Sequence, residues 1–150
     1  MEKEKKTNSK TSFEFYLPGD SDPVILKLYA SQIPAGFPSP ADDFAEKTLD
    51  LNDYLIGNKS ATFLVKVQGE SMINTGIFDG DLLVIDRSKD FIHGKVILGV
   101  LNGEFTVKRL ELKKDKVFLL PENDQFNKIE ITEEMDFKIW GVVTFAIHKL

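Results

Sequence analysis

Ser71 occupies a position where a side-chain hydroxyl could do chemistry. It follows Gly69 and Glu70 at the end of an apolar run that closes with Val67. A glycine at a strand end permits a tight turn, which exposes a serine hydroxyl and aims nearby backbone N–H groups at one point. This arrangement is typical of a nucleophile beside an oxyanion hole. A Gly-x-Ser sequence is also common in turns without a chemical role, so the motif alone leaves both interpretations open.

A serine nucleophile needs a neighbouring base, and the composition points to lysine. The chain has no cysteine and two histidines, His93 and His148, for which we predict structural roles because neither lies at a metal-ligand spacing. Lys108 is the candidate base, because strand alternation places it on one face with Leu110, where it would be desolvated. Lowering a lysine pKa from ~10.4 to near 7 requires on the order of 4 to 5 kcal/mol, which burial can supply. The alternative is an ordinary solvated lysine on the outer face of a strand.

The whole chain has the size and composition of one packed domain. Its 150 residues include 42% hydrophobic and 11% aromatic residues, enough for one core. The net charge of −5 and the pI near 5.1 oppose direct DNA binding, because affinity for phosphates comes from clustered Lys and Arg. No segment approaches the roughly twenty apolar residues of a membrane span. We therefore expect a cytoplasmic protein that reaches nucleic acid only through a partner.

The residues before about position 48 predict an arm, a connection and one helix. Residues 1–12 are polar and predict a flexible segment. Two β-prone runs, 13–17 and 24–29, flank a turn-rich stretch and predict a hairpin. Residues 33–40 hold three prolines and one glycine, which is typical of a mobile, accessible connection. Ser39 as N-cap and Pro40 at the first helical position predict a helix over Pro40–Lys47.

From Thr62 onward the pattern predicts a curled, mostly antiparallel β domain. Short apolar runs are punctuated by Gly, Asn and Asp, and no helical periodicity is sustained. Asn102-Gly103 lies between two runs and is a strong hairpin signal. The predicted strands are Thr62–Val67, Asp81–Asp86, Lys95–Leu101, Glu104–Leu112, Val117–Pro121, Ile129–Ile131 and Phe137–Ile147. The predicted fold class is therefore mainly β, with one short helix and a flexible N-terminal arm.

Several separate blocks of the sequence, in the same order, resemble one protein family. They are Ala35–Ala41, Leu49–Asn52, Gly69–Met72, Asp79–Leu83, Gly103–Leu110, Pro121–Asn123 and Trp140–Val143. These blocks are similar to the UmuD proteins, which are relatives of LexA and of the self-cleaving phage repressors. Glu70 stands where that family often has Asp, and Ile97–Gly99 replaces a run usually richer in Val and Ala. Neither departure touches Ser71 or Lys108.

The resemblance implies a serine–lysine protease that cuts its own chain. It implies Ser71 as nucleophile, Lys108 as general base, Ala35–Gly36 as the scissile bond, and the backbone N–H groups of Glu70 and Ser71 as the oxyanion hole. Residues 1–35 would then be a regulatory arm, and residues 36–150 the protease and dimerisation domain. The implied partners are a second copy of the chain, a RecA filament on single-stranded DNA and a UmuC-type polymerase for translesion synthesis. No metal or other cofactor is implied.

Three other classes of protein are alternatives to a self-cleaving protease. A LexA-like repressor would need a DNA-binding part, and the roughly 35 residues before the cut lack the amphipathic helices and basic character of a helix-turn-helix. A signal peptidase with the same Ser-Lys pair needs access to a membrane, and the sequence contains no anchor. A noncatalytic β interaction module, in which Ser71 and Lys108 have no chemical role, is disfavoured by the resemblance alone.

Overall fold

Antiparallel strands dominate the part of the chain that the computed structural model describes, which is residues 14–20, 22–29, 35–36 and 46–150. Within these residues an eight-stranded sheet has the order β1-β4-β5-β10-β6-β7-β8-β9, and β2 and β3 form a separate two-stranded sheet. The predicted mainly β fold class is confirmed. The strands are β1 Glu14–Tyr16, β2 Ile25–Tyr29, β3 Glu46–Asp50, β4 Thr62–Lys66, β5 Leu82–Asp86, β6 Val96–Leu101, β7 Glu104–Lys113, β8 Lys116–Leu120, β9 Ile129–Ile131 and β10 Phe137–Ile147.

The strands predicted after Thr62 all form, each within about a residue of its predicted ends. The predicted hairpin at Asn102-Gly103 joins β6 to β7, where Leu101 pairs with Glu104. Asn102 and Gly103 have φ angles of 49° and 81°. A two-residue hairpin turn with both φ angles positive suits Asn-Gly and matches the twist of the flanking strands. Local turn chemistry therefore sets the register of the strand that carries Lys108.

The hairpin predicted between residues 13–17 and 24–29 is wrong. Both runs contain strands, but β1 pairs with β4 through Phe15 and Val65, and β2 pairs with β3 through Leu26 and Leu49. Each strand pairs with residues at least 17 positions away, because pairing is decided by which apolar surfaces meet and not by the nearest turn signal. Residues 1–13 lie outside the described residues, so the predicted flexible segment at 1–12 is not described.

The helix predicted over Pro40–Lys47 is wrong at its C-terminal end. Residues 40–45 lie outside the described residues, while Glu46 and Lys47 begin β3 and pair with β2. The short helix of the described chain is α1, Leu51–Leu55, and the Asp50 carboxylate caps it by accepting the Asn52 N–H at 2.9 Å. The described residues contain no helix with the length and hydrophobicity to cross a membrane.

The central strands are buried on both faces. Consecutive residues of β6 belong to different core clusters: Leu98 packs with Val65 and Ile85, whereas Ile97 packs with Leu110 and Leu119. All six of these side chains are fully buried, and burial of each such side chain contributes about 1.5 to 3 kcal/mol. The centre of β6, the neighbour of β7, therefore lies between two packed layers.

Candidate active site

Ser71 lies in a loop that follows β4 and is fixed to the turn before β5. The N–H of Gly69 donates to the Asp79 carboxylate at 2.7 Å, and the N–H of Gly80 donates to the Val67 carbonyl at 2.8 Å. Gly69 has a φ angle of +105°, which a residue with a Cβ rarely adopts. Gly69, two residues before Ser71, therefore forms the turn that the sequence predicted.

A second segment holds the same loop from the other side. The N–H of Glu122 donates to the Ser71 carbonyl at 2.8 Å, and the N–H of Asn74 donates to the Glu122 carbonyl at 2.8 Å. The Asn123 side-chain nitrogen donates to the Glu70 carbonyl at 2.8 Å. The loop around Ser71 is thus tied down by hydrogen bonds on both sides of the serine.

Lys108 points from β7 to Ser71. Its Nζ lies 3.0 Å from the Ser71 Oγ, 3.0 Å from the Thr106 Oγ1 and 3.0 Å from the Val107 carbonyl oxygen. Burial lowers the pKa of the Lys108 ammonium from its usual value. In the described part of the chain no carboxylate forms an ion pair with Lys108, so no opposite charge counters the effect of burial. The structure brings the two predicted residues into direct contact.

The partners of Lys108 suit a neutral amine. A neutral amine has two N–H donors and one lone pair, while an ammonium has three donors and no lone pair. The Val107 carbonyl can only accept, whereas the hydroxyls of Ser71 and Thr106 can each accept or donate. A neutral Lys108 can therefore donate to Val107 and Thr106 and accept the proton of Ser71. That is the hydrogen-bonding state in which a lysine acts as a base.

A groove of about 300 Å³ runs between the Ser71 loop and β7. Its floor is apolar, with Met72, Ile77 and Val107, and Phe126 lines it from a separate loop. Among the described residues, no hydrogen bond engages the backbone N–H of Glu70 or of Ser71, and both residues line this groove. Two free donors beside a hydroxyl can stabilise an oxyanion formed there.

The predicted scissile bond lies elsewhere. Ala35 and Gly36 form an exposed bend, and neither is among the described residues that line the groove. A Cβ added to Gly36 would meet no atom within 4 Å. The structure therefore does not bring Ala35 and Gly36 together with Ser71.

Three side chains of the site were given no role from the sequence. Thr106 could have been found, because it lies two residues before Lys108 on the same face of β7. Arg109 contacts the Glu122 carboxylate, the Gly94 carbonyl at 2.6 Å and the Thr75 hydroxyl at 2.8 Å, and so ties β7 to the loop of Ser71. Arg109 and Asn123 bind partners far along the chain, so no local pattern marks them.

The two histidines make contacts that support the fold. His93 Nδ1 accepts the Leu112 N–H at 3.1 Å, and His148 Nδ1 lies 2.6 Å from the buried Asp81 carboxylate. Asp81 also accepts the Phe78 N–H at 2.8 Å in the turn next to the Ser71 loop. Across the described ranges, no group of three or more His, Asp or Glu side chains could hold a metal ion.

Comparison with known proteins finds the same family over most of the chain. Residues 27–144 match the family model described as Peptidase S24-like. The chain is 43% identical over 132 residues to Protein ImpA of Salmonella typhimurium, covering 88% of this chain and 90% of that protein. It is 40% identical over 123 residues to Protein MucA of Escherichia coli, covering 81% and 84%. It is 37% identical over 125 residues to the LexA repressor of Stenotrophomonas maltophilia, covering 83% of this chain and 59% of the repressor.

Proposed function

Because the chain belongs to the Peptidase S24-like family, we propose that it cuts its own Ala35–Gly36 bond with Ser71 as nucleophile and Lys108 as general base. The prediction of a UmuD-type protein is confirmed, and the chain is a self-cleaving serine protease of the LexA and UmuD type. Within that family, our proposal concerns four points: the dyad, the position of the cut, the division into residues 1–35 and 36–150, and the partners.

The observation that carries the proposal is the 3.0 Å contact between the Lys108 Nζ and the Ser71 Oγ. A serine hydroxyl is a weak nucleophile until an adjacent base removes its proton. Lys108 is the basic side chain in hydrogen-bonding contact with Ser71 among the described residues, and burial lowers its pKa toward the range in which it can be neutral. Geometry and protonation therefore support the same assignment.

Cleavage then proceeds through an acyl intermediate. The Ser71 Oγ attacks the Ala35 carbonyl carbon while its proton passes to the neutral Lys108 Nζ. The resulting oxyanion accepts hydrogen bonds from the free N–H groups of Glu70 and Ser71. As the Ala35–Gly36 C–N bond breaks, Lys108 returns the proton to the departing Gly36 nitrogen, which leaves as an amine. The Ala35 carbonyl remains as an ester on Ser71.

Water completes the reaction. Lys108, neutral again, takes a proton from a water molecule that attacks the ester carbonyl. Collapse of the second tetrahedral intermediate breaks the bond to Ser71, whose oxygen recovers the proton from Lys108. The products are a carboxylate at Ala35, a new amino terminus at Gly36 and the regenerated dyad.

The exposed position of the proposed scissile bond supports a role for a promoter of cleavage. Gly36 lies in open space, so the Ala35–Gly36 bond has to reach the groove before Ser71 can attack it. We propose that a RecA filament on single-stranded DNA binds the chain and favours the conformation with Ala35–Gly36 in the groove. Gly36 and Ser71 are 35 positions apart in the sequence, a length that at ~3.3 Å per extended residue exceeds the width of a domain, so cutting within one chain and between two chains are both reachable.

Removal of residues 1–35 would take β1 away from the sheet. Phe15 of β1 packs against the rings of Phe105, Trp140 and Phe63, at centroid distances of 5.0, 5.9 and 6.0 Å. Loss of β1 exposes these rings and the edge of β4, and exposed apolar surface of this kind binds partners. We propose that the shortened chain stays dimeric in the cytoplasm and joins a UmuC-type polymerase in translesion synthesis.

Mass spectrometry of the purified chain after alkaline incubation tests the cut directly. The expected products are fragments 1–35 and 36–150, formed by the parent and absent from Ser71→Ala. Addition of RecA, single-stranded DNA and a slowly hydrolysed nucleotide should accelerate the same cut at neutral pH. Cleavage at another bond, or no cleavage under either condition, would contradict the proposal.

A further inference from the structure

We propose that Asn123 is a positioning residue, which orients the Glu70–Ser71 peptide so that the Ser71 N–H faces the groove as an oxyanion donor. The inference rests on the proposed function, because an oxyanion hole matters only if Ser71 attacks a carbonyl. Asn123 lies in the segment after β8, 53 residues from Glu70 in sequence, and does not border the groove itself.

The Asn123 amide is buried and held at both ends. The residue is 8% exposed. Its Nδ2 donates to the Glu70 carbonyl at 2.8 Å, and its Oδ1 accepts the Gln125 N–H at 3.0 Å. Because donor and acceptor are both engaged, the amide has one orientation, with the N–H₂ group toward the Ser71 loop. A buried amide with both ends bonded is a rigid support.

The geometry of the peptide bond transmits this support to the site. In a trans peptide the C=O of one residue and the N–H of the next point in opposite directions. Asn123 holds the Glu70 carbonyl and does not line the groove, and from this we infer that the Ser71 N–H on the opposite side of the same peptide plane faces the groove. The Ser71 N–H meets no acceptor among the described residues, as expected of a donor reserved for a substrate oxygen.

Without Asn123 the Glu70 carbonyl would keep only a weaker bond. The remaining donor is the Ile73 N–H at 3.4 Å, near the limit for a hydrogen bond. Rotation of the Glu70–Ser71 peptide would then cost little and would turn the Ser71 N–H away from the groove. The Ser71 carbonyl stays held by the Glu122 N–H at 2.8 Å, so the serine itself remains near Lys108. Loss of Asn123 should therefore impair the oxyanion donor more than the dyad.

Self-cleavage rates of Asn123→Ala and Asn123→Asp in the full chain test the proposal. Asn123→Asp keeps the acceptor for Gln125 but cannot donate to Glu70 when ionised. We expect both variants to cleave at least about tenfold more slowly, a part of the 10²- to 10³-fold loss known for removing an oxyanion donor outright. Asn127→Ala, an exposed asparagine in the same loop, is the matched control and should cleave at the parental rate. A parental rate in a folded Asn123→Ala would overturn the inference.

The pH profile separates positioning from a general loss of structure. The pH at which the rate rises is set by Lys108, whose contacts with Ser71, Thr106 and Val107 do not involve Asn123. Asn123→Ala, which adds no charge, should therefore keep the parental midpoint and show only a lower rate at every pH. A displaced midpoint would mean that the dyad has been disturbed, and the assignment to the oxyanion donor would be wrong.

A transition-state analogue extends the test to the unmutated chain. The probe is the peptide boronic acid Gln-Ile-Pro-boroAla, which copies residues 32–35 and forms a tetrahedral adduct with a serine hydroxyl. The Ser71 amide proton of the parent should shift downfield on adduct formation, and an unchanged resonance would overturn the inference even if the variants failed to fold. A parent that binds no boronate and never cleaves would instead contradict the proposed function.

Discussion

The Ser71 Oγ and the Lys108 Nζ lie 3.0 Å apart, although β4 and β7 are not neighbours in the sheet. Three strands, β5, β10 and β6, separate them, which in a flat sheet would place β4 and β7 about 19 Å apart at ~4.8 Å per strand. The curl of the sheet and the loop after β4 close this gap. The site therefore depends on the curvature of the whole sheet.

Ser71→Ala and Lys108→Ala should each abolish self-cleavage without unfolding the chain. The first removes the attacking oxygen and the second removes the base, and each is only partly buried, so little packing is lost. Mass spectrometry for fragment 36–150 measures the rate, and circular dichroism checks the fold. Ser60→Ala and Lys138→Ala, at exposed positions, are the controls. Parental cleavage by either dyad variant would show that the dyad is assigned wrongly.

The rate of spontaneous cleavage should rise between about pH 7 and 10, as a larger fraction of Lys108 becomes neutral and able to accept the Ser71 proton. Burial lowers the pKa of Lys108, so the rise should begin below the ordinary lysine value of ~10.4. The measurement is the initial cleavage rate in a series of buffers at constant ionic strength. A flat profile with the protein still folded would argue against a lysine base.

Lys108→Met should be more stable than the parent at neutral pH. Because the pKa of Lys108 is lower in the folded chain, the unfolded chain binds more protons, and the free energy of unfolding of the parent rises with pH up to ~10.4. The Met variant lacks this term, so its advantage should be largest at neutral pH and shrink as pH rises. Urea titrations across this range compare Ser71→Ala with the double variant that carries both Ser71→Ala and Lys108→Met. Neither protein can cleave itself, so cleavage does not disturb the measured free energy of unfolding. A constant difference would contradict the lowered pKa.

Thr106→Val should slow cleavage by roughly 10- to 100-fold, the scale of losses from a misplaced catalytic group. The valine has the same shape but removes the hydroxyl that holds the Lys108 Nζ at 3.0 Å. Thr106→Ser keeps the hydroxyl and should recover most of the rate. The comparison is made at a pH where the parent cleaves readily. Equal rates for the Val and Ser variants would remove Thr106 from the mechanism.

Phe15→Ala should shift the tryptophan fluorescence of the chain to longer wavelength. Trp140 is the single tryptophan, and its ring lies 5.9 Å from the Phe15 ring, so loss of Phe15 admits water. Cleavage at Ala35–Gly36 should produce the same shift if the arm then leaves. Leu17→Ala, at a residue that is 81% exposed, is the control and should leave the spectrum unchanged. Complete cleavage with no spectral change would mean that the arm remains bound.

Gly36→Glu should block the cut and with it the support of lesion bypass in cells. A glutamate at position 36 adds bulk and a charge that must be desolvated in the groove, while the position itself lies in open space and tolerates a side chain. Gly19→Glu, another arm glycine with free space, is the control and should be cleaved and active. The assay is survival and mutagenesis in cells that lack their own UmuD. Full activity of the uncut Gly36→Glu chain would contradict the proposal that cleavage activates the protein for lesion bypass.

The elements after Thr62 were predictable because their signals are local. The Asn102-Gly103 turn needs only its own two φ angles, and the alternation along β7 needs only its own side chains. The N-terminal elements were predicted less well. Residues 13–17 and 24–29 are β-prone, as expected, but their partners β4 and β3 lie beyond the next turn. Glu46 and Lys47 pair with β2 instead of ending a helix, because pairing to a distant strand overrides a capping signal.

The sequence by itself determined the family, the mainly β class and the two residue types suited to the chemistry, because motifs and periodicity are properties of short segments. Only the tertiary structure decided that Ser71 and Lys108 touch, that burial lowers the lysine pKa, and that Asn123 supports the loop from 53 residues away. Contact, desolvation and support of this kind arise when a curled sheet brings together strands that are distant in the chain. No local pattern encodes the curl, since it is the sum of many small twists and bulges along the sheet.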